Sequence, residues 1–88
     1  MANPLAVTVV AADREIWKGE ASMVVAKTVE GEIGILAGHE PMLAILASGE
    51  VRVNASSGER IVARADDGFL SVENDTVTVV ARDAELIR

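Results

Sequence analysis

Cysteine is absent from this chain, which excludes disulfides, thiol nucleophiles and thiolate metal sites. Aromatic residues are nearly absent as well: Trp17 and Phe69 are the only two among 88 residues. A sugar-binding sandwich needs several aromatic rings on one face, and they are not here. Histidine occurs once, at His39, so no multi-histidine metal centre is available. Basic residues are in the minority, 8 Lys and Arg against 14 Asp and Glu, for a net charge of −6. Nucleic acid requires a basic stripe and anionic lipid a polybasic segment, so neither nucleic-acid binding nor direct lipid insertion is expected. Long apolar runs are also missing. Leu5–Ala12, interrupted by Thr8, and Met42–Ala47 fall far short of the roughly 20 residues of a membrane-crossing helix. The opening Met-Ala-Asn-Pro-Leu lacks the basic and long apolar regions of a signal peptide. The expectation is a soluble, cytoplasmic chain.

What is present is a large apolar fraction, 50% of residues, made of Val, Ile, Leu, Ala and Met. The β-branched residues fall in short alternating runs, which favours strands. Turn signals recur every eight to ten residues or so, the spacing of an all-β sandwich or barrel. Strands are expected at Leu5–Ala12, Glu15–Lys18, Ala21–Thr28, Glu32–Leu36, Met42–Ala47, Glu50–Ala55, Glu59–Ala65, Phe69–Glu73 and Thr76–Ala81. Turns are expected at Glu30-Gly31, Ser48-Gly49, Ser56-Ser57-Gly58, Asp66-Asp67-Gly68 and Asn74-Asp75, with a structured loop over Ala37–Pro41. The fold class predicted is all-β: a two-sheet antiparallel β-sandwich of about nine or ten strands. Residues 1–83 form its one domain and residues 84–88 a short tail, within a weakly helical Arg82–Arg88. The expected core comprises Val7, Val9, Val24, Ile33, Ile35, Leu46, Ile61, Phe69, Val72, Val77 and Val79, with Phe69 filling the space between the sheets.

Chemistry is hard to find. None of Ser22, Ser48, Ser56, Ser57 or Ser71 lies in a nucleophile-elbow context. Asp66 and Asp67 are adjacent, so on an extended chain they point apart and suit a turn better than a carboxylate pair. The glycines between Glu30 and Gly38 match neither the phosphate-loop nor the dinucleotide pattern. No catalytic, cofactor or metal residues are therefore expected. The most unusual stretch is Thr28–Val51, which holds Glu30, Glu32, Glu40 and Glu50 and no Lys or Arg. It reads either as a solvated edge that discourages strand aggregation or as an acidic docking patch.

The run Glu30–Leu46, EGEIGILAGHEPMLAIL, resembles the signature of the epsilon subunit family of bacterial F-type ATP synthases. That family has a Glu-Gly-Glu hairpin, Ile-Gly-Ile-Leu, a Gly-His turn, then a proline and an apolar strand. Ile16-Trp17-Lys18-Gly19, Asp67–Val72 and Val77–Asp83 continue the likeness in order over nearly all of residues 5–83. Two positions depart from it. Ala37 stands where the family often has proline, and Asp67 replaces the first of two usual glycines. Asp tolerates a positive φ better than most residues, so the second departure does not threaten the fold.

The resemblance implies a non-catalytic central-stalk subunit, on the cytoplasmic side of the cell membrane as a peripheral part of the complex. It would couple the membrane c-ring to the gamma subunit during proton-driven ATP synthesis. It also implies that Glu32, Gly38, His39 and Glu40 contact the c-ring. Family members commonly continue into two C-terminal helices that can inhibit hydrolysis and in some members bind ATP. A short form ending at Arg88 is expected to do neither. The alternative is a lipoyl-like acidic β carrier or binding module. Such a carrier needs a lysine exposed at a hairpin tip, and Lys18, following Trp17, fits that poorly.

Overall fold

The computed structural model describes residues 4–87. It contains six strands: β1 Leu5–Ala11, β2 Arg14–Thr28, β3 Gly31–Leu36, β4 Met42–Ala55, β5 Arg60–Glu73 and β6 Thr76–Leu86. No helix occurs among the described residues. The order in the sheet is β1-β6-β5-β4-β2-β3, and β1 also pairs with β2. Five strands thus close into a barrel-like ring, with β3 hung on β2 as an outer strand. Every pairing is antiparallel except β1 with β6, where Ala6–Ala11 runs alongside Thr76–Ala81 in parallel.

This corrects the expectation of nine or ten strands in two separate antiparallel sheets. Nine expected segments become six because three pairs are continuous. Glu15–Lys18 and Ala21–Thr28 lie in β2, Met42–Ala47 and Glu50–Ala55 in β4, and Glu59–Ala65 and Phe69–Glu73 in β5. The residues between them mark bends inside long strands. The burial pattern shows how. In β5, Ile61, Ala63 and Ala65 point inward, and beyond Asp66-Asp67-Gly68 the inward residues are Leu70 and Val72. The alternation changes phase from odd to even at this corner, while the pairing of β5 with β4 and with β6 runs through it without a shift of register, so the neighbouring strands bend together. The same change separates Leu46 from Val51 and Val53 in β4, Ala21 from Val24 and Ala26 in β2, and Ala81 from Ala84 in β6. Each of these strands turns a corner and serves both walls of the core.

Asp67 sits at one corner with φ 51°, the left-handed conformation that Asp accepts more readily than most residues. Gly68 follows because there is no room for anything else: a Cβ there would strike the carbonyl of Val80 and lie 2.6 Å from Ala81 Cα. The tail is also corrected. Arg82–Leu86 continues β6, pairing with β5 from Ala63 to Asp66, and does not become helical.

The core is aliphatic, as the composition requires. Leu5, Val7, Val9, Val24, Ile35, Leu46, Val51, Val53, Ile61, Leu70, Val72, Val77 and Val79 are buried. Ile33 and Trp17 are half-buried against them. Phe69 is the exception among the expected core residues. It is 40% exposed, while its neighbour Leu70 is fully buried. The phase change at Asp67 is the reason: it puts even-numbered residues inside for the rest of β5.

Candidate functional site

The residues singled out by the sequence lie on and beside β3. The hairpin that opens β3 is fixed by Thr28, whose side chain is buried. Its hydroxyl donates to the Gly31 carbonyl at 2.7 Å and accepts from the Glu30 N–H at 3.2 Å. Gly31, at φ 125°, supplies the backbone conformation the turn needs. Along β3, Ile33 and Ile35 face inward, whereas Glu32, Gly34 and Leu36 are exposed.

Glu32 stands opposite Lys27 on β2, and its carboxylate accepts from the Arg52 guanidinium on β4 at 2.8 Å. The face around Glu32 is therefore not free of cations, although the stretch Thr28–Val51 is. Lys27 and Arg52 lie just outside the two ends of that stretch, and the β3-β2-β4 register folds both back onto its middle.

At the other end of β3 the chain enters the loop Ala37–Pro41. The His39 N–H donates to the Leu36 carbonyl at 3.2 Å, and Gly38 has φ 85°. Those are the marks of a type II turn over Leu36–His39, with glycine at its third position. His39 is half-buried, and its Nδ1–H donates to the Glu40 carbonyl at 2.8 Å. Gly38 and Glu40 are exposed. The Gly38 N–H donates to Asp75 Oδ1 at 2.7 Å, which ties the loop to the turn between β5 and β6.

Glu32 and the triplet Gly38-His39-Glu40 are thus not one cluster. Glu32 is the second residue of β3 and the triplet lies beyond its far end, about 20 Å away along an extended chain. The β2–β3 register runs without a bulge from Met23 to Thr28, so no kink at Gly34 brings them together. They share a rim instead, because β3 is the outermost strand and pairs only with β2.

A second surface is apolar. Ile45 of β4 is paired with Phe69 of β5, and Phe69 in turn with Val80 of β6. Leu43 lies two residues from Ile45 on the same outward side. Leu43 is 69% and Ile45 56% exposed. The Val29 N–H donates to the Ile45 carbonyl at 3.0 Å, which places another exposed apolar residue beside them. Pattern reading missed this face because it assigned Phe69 to the interior. It also missed Arg52 and Asp75, whose importance depends on cross-strand partners 20 and 37 residues away.

A mixed-charge cleft of about 490 Å³ lies at the strand corners, lined by Arg14, Ser48, Arg64, Asp66, Asp83 and Glu85. Its serine is not among the hydrogen-bond partners of His39, which are Leu36 and Glu40. Neither this cleft nor the β3 rim joins a nucleophile to a base.

Residues 4–87 match the family described as ATP synthase, Delta/Epsilon chain, beta-sandwich domain. The ATP synthase epsilon chain of Streptomyces avermitilis is 46% identical over 86 residues, covering 98% of this chain and 69% of its own length. The ATP synthase epsilon chain of Micrococcus luteus is 51% identical over 82 residues, covering 93% of this chain and 90% of its own length. Among solved structures, a chain of the Euglena gracilis mitochondrial ATP synthase, OSCP/F1/c-ring in rotational state 1, superposes with a TM-score of 0.87 at 27% identity. A chain of the central stalk/c-ring of the Tetrahymena thermophila mitochondrial ATP synthase superposes with a TM-score of 0.77 at 20% identity, a likeness of fold. Both superpositions cover 94% of this chain, which spans 53% of the Euglena chain and 66% of the Tetrahymena chain.

Proposed function

Because this chain belongs to the ATP synthase delta/epsilon-chain β-sandwich family, we propose that it works as a central-stalk subunit of the rotor, coupling the c-ring to the gamma subunit. The observation that carries this reading is the family match over residues 4–87, together with near-complete coverage by the Micrococcus luteus epsilon chain. The domain is non-catalytic. Its task is to transmit torque, which requires a stiff body with two docking surfaces. A closed ring of strands around one aliphatic core supplies the stiffness. Its place is peripheral to the membrane, on the cytoplasmic side, held there by the complex.

The two surfaces differ in chemistry, and each suits a different partner. The β3 rim presents Glu32, Gly38, His39 and Glu40 to the polar loops of the c-ring, where guanidinium groups complement carboxylates. The outward face at Leu43, Ile45 and Phe69 packs against gamma, since contiguous exposed apolar residues mark protein contacts. At the rim Arg52 already occupies one oxygen of Glu32. A ring cation therefore shares Glu32 with Arg52, leaving Glu40 as the less encumbered carboxylate.

The test is charge reversal at Glu32 together with Glu40. Isolated rim charges are worth under about 1 kcal/mol, so the double change is needed. ATP-driven proton pumping per ATP hydrolysed in membrane vesicles should fall, while the thermal melt of the purified chain stays near wild type. Unchanged pumping with an unchanged melt would assign the ring contact to another surface.

A further inference from the structure

The loop that carries His39 joins β3 to β4, which do not pair with each other, and it is held by a hydrogen bond from the β5–β6 turn. In a β-turn over Leu36–His39 the central peptide joins Ala37 to Gly38. Types I and II differ by a flip of that peptide through about 180°. The N–H of the central peptide is the Gly38 N–H, and it donates to Asp75 Oδ1 at 2.7 Å. Gly38 has the positive φ of 85° that belongs to type II. A flip to type I would carry the Gly38 N–H away from Asp75 and turn the Ala37 carbonyl to the opposite face of the loop, leaving the course of the chain into His39 and Glu40 little changed.

Asp75 is itself an unusual choice at its position. Asn74 and Asp75 have φ 48° and 56°, the left-handed pair of a mirror-image hairpin turn. Glycine is the favoured second residue there, and any side chain is disfavoured. The Asp75 backbone has a separate task, since its carbonyl accepts from the Ala6 N–H of β1 at 2.8 Å. That bond needs no carboxylate. The carboxylate is left to reach the loop across 37 positions of sequence.

We propose that Asp75 is a positioning residue for the docking loop: its carboxylate holds the Ala37–Gly38 peptide in the type II orientation and so fixes which face of the loop presents the Ala37 carbonyl to the partner. This rests on the reading of that loop as a ring contact, and the experiment separates the two. Asp75→Gly removes the acceptor while suiting the hairpin turn better than Asp does. Asp75→Asn keeps both an acceptor oxygen and a residue that tolerates φ above zero.

Amide hydrogen exchange of Gly38 is measured by NMR on the full chain, beside its thermal melt. Proton pumping per ATP is measured in ATP synthase carrying the same variants. Asp75→Gly should accelerate Gly38 exchange by about tenfold, with no fall in melting temperature, and lower the pumping ratio. Asp75→Asn should match wild type in all three. Unchanged Gly38 exchange in Asp75→Gly would refute the tether. Faster exchange with unchanged pumping would establish the tether and refute the docking role of the loop. Failure of Asp75→Asn to restore Gly38 protection would show that an acceptor oxygen at this position is not what holds the peptide.

Discussion

At Phe69 and Leu70, adjacent residues have exchanged the roles that their sizes suggest. Leu70 is fully enclosed and Phe69 lies 40% exposed beside Ile45. Leu70→Ala leaves a cavity in a well-packed interior and should cost about 2–5 kcal/mol. Phe69→Ala removes mainly a cross-strand contact, worth about 0.2–1 kcal/mol, and should weaken co-purification with gamma. Urea denaturation of both variants gives the comparison. A larger loss at Phe69 than at Leu70 would mean that the inward phase of β5 is reversed. Gly68, one residue earlier, is constrained by contact with backbone. Since neither the Val80 carbonyl nor the Ala81 Cα can rotate away, Gly68→Ala should cost about 3 kcal/mol. The same denaturation series measures it, and a cost under about 1 kcal/mol would show that the β5 and β6 backbones can separate at this corner.

At the scale of elements, the long strands are defined by where they bend and the loop by how it is pinned. The β3–β4 loop uses glycine at the third position of its type II turn, and Ala37 occupies the second. Proline pre-sets φ for that second position, and Leu36 before it is already extended, as a residue preceding proline must be. Ala37→Pro should therefore stabilise the chain by about 0.4–1 kcal/mol, chiefly by restricting the unfolded state. The readout is a higher melting temperature. A lower one would show that the Ala37 N–H is a working member of the sheet. Trp17 and Gly19 offer a second view of a bend. A Cβ at Gly19 would lie 2.8 Å from the Trp17 ring, so the indole rests on the glycine where β2 approaches its corner. The absence of a side chain there makes room for the only large aromatic packed against the core.

At the scale of the molecule, closure decides behaviour. The ring is completed by β1 pairing with both β2 and β6, which joins the beginning of the chain to its last strand. Because β2, β4, β5 and β6 each serve both walls, neither wall can open while the other stays folded. Unfolding in urea should then be two-state, with Trp17 fluorescence and far-UV circular dichroism giving coincident transitions. Refolding should take milliseconds to seconds, because the parallel β1–β6 pairing closes a loop of nearly the whole chain before it is rewarded. A separate early transition in Trp17 fluorescence would show that the β1–β2 seam opens on its own. Such a seam would make the body a poor transmitter of torque.

The residues alone determined the all-β class, a core to which nine of the eleven expected residues belong, and the family. Alternation of β-branched residues specifies half-buried strands wherever it continues unbroken, as in Leu5–Ala11 and Val77–Ala81. The Glu30–Leu46 motif is long and mixed enough to be distinctive. What the residues did not reveal is where alternation changes phase, because Asp-Asp-Gly and Ser-Gly signal a chain reversal and a bend inside a strand equally well. Six strands, four of them bent, therefore looked like nine straight ones, and Phe69 looked like core. The charge around Glu32 was also decided in three dimensions. A stretch without cations becomes a rim with Lys27 and Arg52 only once β2, β3 and β4 are in register. The hold of Asp75 on Gly38 is of the same kind. A carboxylate can reach an amide 37 residues away only after the sheet has brought the two turns together, and local sequence carries no trace of that distance.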